Sequence, residues 1–156
     1  TVSYTLNAAT QFTGITLATT NENGDLVTIS NGGNAQLVKQ VCNLTTGTCN
    51  LVTGTGFSTT NTGSPGDILQ YRLSFQPTGA DNVDTLDIFD ATPAFSGLKA
   101  GSAVIVQPPV GMTCTTLVPS GGGAEGYRGN LQWQCGSGQM APGEVGVVAF
   151  QVLIDQ

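Results

Sequence analysis

From Leu69 to Phe75 apolar and polar residues alternate without a break. Leu69, Tyr71, Leu73 and Phe75 fall on one side, and Gln70, Arg72 and Ser74 on the other. A period of two places successive side chains on opposite faces of a strand, so this segment is predicted to be half-buried β. Similar runs recur along the chain: "TVSYTL", "FTGITL", "DLVTIS", "AQLVKQVCN", "CNLVTG", "VDTLDIFD", "GSAVIVQ", "MTCTTLV", "LQWQC" and "EVGVVAFQVLID". Leu86 and Ile88 share a face, as do Val148, Phe150, Val152 and Ile154. Trp133 alternates with Leu131 and Cys135, which places it in the core. No window carries a sustained i, i+3, i+4, i+7 stripe, so no helix is expected.

The runs are separated by "NENGD", "SNGGN", "GSPGD", "QPTGAD", "VPSGGGAEG" and "APGE". Gly, Pro and Asn supply the backbone conformations that turns require. Pro65-Gly66 suits the two central positions of a type II turn. Roughly eight to eleven short strands at this spacing predict an all-β, Ig-like Greek-key β-sandwich. Residues 1–30 carry three further strand-like runs, and the sequence divides them as an N-terminal strand extension from a sandwich spanning 31–156.

Composition agrees with that class. Glycine numbers 22 and threonine 22, the residues of turns and of strands. Only 9% of the chain is charged and 39% is apolar, so the chain has the material for a core. The four basic residues, Lys39, Arg72, Lys99 and Arg128, are scattered, against ten acidic ones. Phosphate recognition needs a basic patch, so nucleic acid and anionic membrane surfaces are unfavourable partners. No apolar run reaches the length of a membrane span. The sequence starts at Thr1, and the expectation is a mature exported chain whose signal peptide has been removed, although an excised segment would begin the same way.

Four cysteines, Cys42, Cys49, Cys114 and Cys135, allow three pairings. In "VCNLTTGTCN" the first two flank "TTGT" and could face each other across a hairpin, which makes 42–49 with 114–135 the simplest set. Four free buried thiols are the bland alternative. A zinc site is disfavoured, because there is no C-x-x-C spacing and no histidine. Disulfides would imply an oxidising compartment.

Asp81, Asp84, Asp87 and Asp90 recur every third residue. In a strand, Asp84 and Asp87 would point to opposite faces and could not act as a catalytic pair. With no histidine base, no G-x-S-x-G and no phosphate loop, the sequence does not read as an enzyme and implies no cofactor. Asp81 and Asp84, beside Asn82, are candidate oxygen ligands for calcium. The plainer reading has these aspartates solubilising an outer face and shaping corners, with Asp90 capping the turn before "ATP". Asn43 heads "NLT", an N-glycosylation pattern in a turn expected to be accessible.

"LVKQV", "GSPGDILQYRLSFQPTGADNVDTLDIFDATPAFSGLKAGSAV" and "LQWQCGSGQMAPGEVGVVAFQVLID" together resemble the conserved repeat domain designated domain of unknown function eleven. That module is an Ig-like unit of bacterial and archaeal surface proteins. The matching positions are Pro65, Gly66, Asp67 and Tyr71, then Thr78 and Gly79, then Asp90 and Pro93, then Trp133, then Pro142, Gly143 and Glu144. Pro77-Thr78-Gly79 departs from the family, which often has Asn there. The resemblance runs over residues 35 to 156. It implies a sandwich, export, a structural or adhesive role and no catalytic residues, with the Asp and Pro as scaffold positions.

The extension supplies the functional expectation. An exposed strand can add to the open sheet edge of a neighbour, and repeated head to tail such a contact gives a filament. Val2, Tyr4, Leu6 and Ala8 would be the inserted set. The expected function is therefore a subunit of a self-assembling extracellular surface filament, with copies of itself as partners. The alternative is a monomeric adhesive or carbohydrate-binding surface module, with Tyr127 beside Arg128 as its exposed aromatic.

Overall fold

A computed structural model of the chain describes residues 16–20, 26–30 and 34–156. Among the described residues there are ten strands: β1 (Thr16–Thr20), β2 (Leu26–Ser30), β3 (Ala35–Asn43), β4 (Ile68–Pro77), β5 (Thr85–Ala91), β6 (Ser96–Leu98), β7 (Val104–Gln107), β8 (Thr113–Val118), β9 (Asn130–Gly136) and β10 (Gly146–Ile154). They form two antiparallel sheets, β1-β2-β5-β9-β8 and β3-β4-β10-β6, with β7 also beside β10. The chain changes sheet between β2 and β3, β4 and β5, β5 and β6, β7 and β8, and β9 and β10, crossovers of the Greek-key kind.

β1 and β2 fall within the 1–30 segment that the sequence sets apart as an extension. They do not stand outside the sandwich: β2 pairs with β5, Val27 opposite Ile88, and β1 pairs with β2. The candidate donor residues Val2, Tyr4, Leu6 and Ala8 lie outside the described residues.

The alternating faces meet as expected. Leu73 and Phe75 of β4, Leu86 and Ile88 of β5, Leu131 and Trp133 of β9, and Val148, Phe150 and Val152 of β10 are fully buried in one cluster. Phe150 stacks on Tyr71 with ring centres 4.8 Å apart, and Trp133 lies 6.3 Å from Phe150. Such pairs add to the stabilisation from area alone. Gly146 opens β10 where the Phe75 ring presses against the backbone; a Cβ there would come within 2.2 Å of the ring.

The two Pro-Gly turns are built alike. Asp67 N–H donates to the Ser64 carbonyl at 3.0 Å, and Glu144 N–H to that of Ala141 at 3.1 Å. Gly66 and Gly143 have φ of 89° and 87°, the left-handed value that a type II turn demands at its third position. In each turn the acid reaches back to the first residue: Ser64 N–H donates to Asp67 Oδ2 at 2.9 Å, and Ala141 N–H to Glu144 Oε2 at 2.9 Å. The carboxylate in "SPGD" and "APGE" thus closes the turn that leads into β4 or β10.

Between β3 and β4 the chain makes a long loop, 44–67, and no hairpin. "CNLVTG", expected as a strand, is part of that loop. Asn50 explains the difference: its side-chain oxygen accepts from Val52 N–H and Thr53 N–H, both at 3.0 Å, bending the backbone out of extension. Arg72 then holds the loop down, donating from Nε to the Leu51 carbonyl at 2.7 Å and from Nη1 to Gln40 at 3.1 Å. The loop lies over the outer face of β4, so Gln70 and Arg72 are buried. Burial lowers the Arg72 pKa from its ordinary value. Arg72→Ala should cost about 2 kcal/mol, the scale of hydrogen bonds from a charged donor. Digestion by a broad-specificity protease should then begin within 44–63 and proceed faster there than in the wild-type chain.

Candidate functional site

Each of the four basic side chains is engaged within the sandwich. Arg72 binds loop carbonyls, as above. Lys99 pairs with Glu125 at 2.5 Å, and Arg128 pairs with both oxygens of Asp155 at 2.6 and 2.9 Å. Lys39 on β3 meets Asp90 on β5 at 2.8 Å, across the two sheets. No cation is left clustered for an anionic partner.

Asp90 meets the sequence expectation only in part. Its Oδ1 accepts from the Ala91 N–H at 2.7 Å, a local cap of "ATP", but it does not sit at an exposed corner. It lies on the core side of β5 with Leu86 and Ile88, and its side chain is 2% exposed. The reason is parity, since positions 86, 88 and 90 share one face. Lys39 is drawn inward to meet it, 11% exposed, with Nζ 5.0 Å from the Tyr71 ring centre and 5.9 Å from that of Phe150. Asp87 behaves as expected on the outer face, accepting from Gln134 at 3.0 Å and Gln132 at 3.3 Å.

Of the calcium candidates, Asp84 lies beside Gln139. Asp81 is exposed, and Asp84 accepts from Gln139 Nε2 at 2.7 Å, while Asn82 donates to Gln139 Oε1 at 2.9 Å. Gln139 therefore ties 82–84 to the loop before β10. Among the described residues no group of three or more His, Cys, Asp or Glu side chains gathers around a common point.

Asn43 is buried, not accessible as its turn position predicts. It is the last residue of β3 and is 4% exposed. Its Nδ2 donates to Asp67 Oδ2 at 2.8 Å and to the Thr62 carbonyl at 3.3 Å, and its Oδ1 accepts from Thr45 N–H. The nitrogen that would carry a glycan is enclosed in the fold, where it anchors the "SPGD" turn to β3.

Both cysteine pairs are disulfides, Cys42–Cys49 and Cys114–Cys135. Cys114 and Cys135 are direct partners across β8 and β9. Cys42, at the end of β3, instead holds the loop. Two disulfides fit an oxidising compartment. No helix among the described residues is long and apolar enough to cross a membrane.

Tyr127 is not a free platform. It is half-buried against the core, and its hydroxyl donates to the Asn130 carbonyl at 2.9 Å. Among the described residues the exposed aromatic is Phe95, which sequence reasoning missed. It is 79% exposed with φ of 58°, a conformation uncommon for a bulky residue. No sequence signal separates it from a core phenylalanine.

One side of the sandwich is apolar and open. β8 ends its sheet, and β7 lies against it from the other sheet, with Thr116 Oγ1 donating to the Ala103 carbonyl at 3.3 Å. Val104 of β7 and Leu117 of β8 are 38% and 39% exposed, and Val110 in the loop between them is 79% exposed. At the other end of the second sheet, β3 exchanges backbone hydrogen bonds with Ser58 at Val41.

Asp67, Glu125 and Asp155 all have their pKa lowered. The causes are first the Ser64 N–H for Asp67, the Lys99 ammonium for Glu125 and the Arg128 guanidinium for Asp155. A group with a lower pKa in the folded state contributes stability above its unfolded pKa and loses it as pH falls through the folded one. Stability should therefore fall with acid below about pH 4, near the unperturbed carboxylate values. With no histidine, it should stay nearly flat from about pH 5 to 8. Urea midpoints measured across pH 2–8 check both limbs.

Compared with known proteins, the chain matches no family model, no curated protein and no solved structure.

Proposed function

We propose that this chain is a structural subunit of an extracellular, self-assembling surface filament, its copies joined head to tail by an N-terminal strand. The observation that carries the reading is the open side at β7 and β8. It offers an unpaired sheet edge flanked by Val104, Val110 and Leu117, the chemistry that an added apolar strand uses. The bulge at Leu117 confines the usable edge to Thr113–Thr116. The segment that would occupy it is residues 1–10, through Val2, Tyr4, Leu6 and Ala8. The two disulfides and the resemblance to a surface-protein repeat domain support export and a load-bearing role.

Electron microscopy of the purified native protein tests this. Fibres with a repeat near one domain length are expected. Removing residues 1–10, or placing lysines at both Val104 and Leu117, should leave folded monomers. Fibres from the truncated chain would exclude donation by that segment. Dispersed particles from the intact chain would exclude the filament.

A monomeric adhesive or carbohydrate-binding module is the second reading, favoured by Phe95. An apolar ring held in solvent on an unfavourable backbone is a recurring property of ligand contacts. Phe95→Ala would then abolish glycan or surface binding by a monomer and leave assembly unchanged.

A further inference from the structure

We propose that Lys39 and Asp90 are the two ends of an amide cross-link, formed by the folded chain, that joins the sheets covalently. Lys39 Nζ lies 2.8 Å from Asp90 Oδ1, and the side chains are 11% and 2% exposed. The carboxyl carbon is one bond beyond that oxygen, so the pair is held at the separation of a near-attack geometry. Tyr71 and Phe150 wall the amine, and the in-register neighbours of Lys39 and Asp90 are Leu73 and Leu131, both fully buried. A buried site penalises two separate charges more than a neutral amine and a neutral acid. Proton transfer from Nζ to the carboxylate gives that neutral pair, in which the nitrogen is a nucleophile.

The nitrogen lone pair attacks the carboxyl carbon to form a tetrahedral centre. One carboxyl oxygen then leaves as water, carrying the acid proton and one proton from the amine. The carbon–oxygen bond breaks and a carbon–nitrogen bond replaces it, with no change of oxidation state and no co-reactant. The sandwich supplies proximity, the exclusion of water and the removal of the one water released. The product ties β3 of one sheet to β5 of the other. This inference does not depend on the filament reading.

Mass spectrometry of the folded, oxidised protein, then unfolded, reduced and digested with trypsin, decides the matter. The intact reduced chain should be lighter than its sequence by one water. Trypsin should fail to cut after Lys39, and the 73–99 peptide should be recovered joined to the peptide that ends at Arg72. Lys39→Arg keeps a cation but cannot form the amide under these conditions, and should show the full sequence mass with 73–99 free. Cleavage after Lys39 in the wild-type chain, with free 73–99, would overturn the proposal. So would a blocked Lys39 attached anywhere outside 73–99. The wild-type digest stands alone if the arginine variant does not fold.

Discussion

Replacing Trp133 by alanine is expected to lower the free energy of unfolding by about 4 kcal/mol, within the range for removing a large aromatic from a core. Trp133 is fully buried in β9 and faces Phe150 of the opposite sheet. Its neighbours on that face of β9, Leu131 and Cys135, are fixed by the strand pairings to β5 and β8. The cavity would therefore collapse only partly, and the unfilled part adds to the lost transfer energy. Trp133→Phe should cost far less, because the ring contact is kept. The indole N–H, which has no hydrogen-bond partner among the described residues, is also removed. Urea unfolding followed by far-ultraviolet circular dichroism measures both variants. A cost below about 1 kcal/mol for the alanine variant would mean that the Trp133 side chain does not lie between the sheets.

The second large effect is expected from the disulfides, and it is unequal. Cys114–Cys135 closes a segment with a sequence separation of 21, and Cys42–Cys49 one of 7. In the chain-entropy account the longer closure stabilises by about 3 kcal/mol and the shorter by about 1 kcal/mol less. The difference should be widened by position. Cys135 is fully buried between Leu86 of β5 and Cys114 of β8, so a paired alanine replacement at 114 and 135 also loosens the edge strand. The 42–49 bridge only restrains a loop that Arg72 and Asn50 also hold. Alanine pairs at each bridge, compared by urea midpoint, should fall in that order. The reverse order would mean that the 44–67 loop, and not β8, is the fragile part of the sandwich.

Much of the core was legible from alternation alone. Leu73, Leu86, Ile88, Leu131, Trp133 and Phe150 are where a period of two places them, because a strand leaves few other choices. The Pro-Gly turns were legible because only glycine takes a φ near 90° without strain. Asp90 was only half legible. Its parity with Leu86 and Ile88 put it inside, but charge argued for a corner, and its partner lies 51 residues earlier. Nothing local announces a meeting of that kind. Leu51 and Val52 misled for the opposite reason: backbone hydrogen bonds to the Asn50 side chain outweighed strand propensity. The "NLT" pattern gave no warning of burial, since three residues carry no record of what Asp67 would do to Asn43. The apolar side at β7 and β8 was invisible in sequence, as it depends on which strands the two sheets leave at their edges.

β10 pairs with β4 along nearly its whole length, and on its other flank with β6 and β7. It lies later in the chain than every strand it joins. A polypeptide emerging from a ribosome or threading through a membrane pore, amino end first, holds β3, β4, β6 and β7 long before the strand that unites them arrives. Until then Leu73 and Phe75 lack the opposite row of Val148, Phe150 and Val152. Contacts so distant in sequence form slowly, since the intervening chain must be closed first. The order of strands thus acts as a delay: the second sheet stays open until β10 arrives to join β4 to β6 and β7.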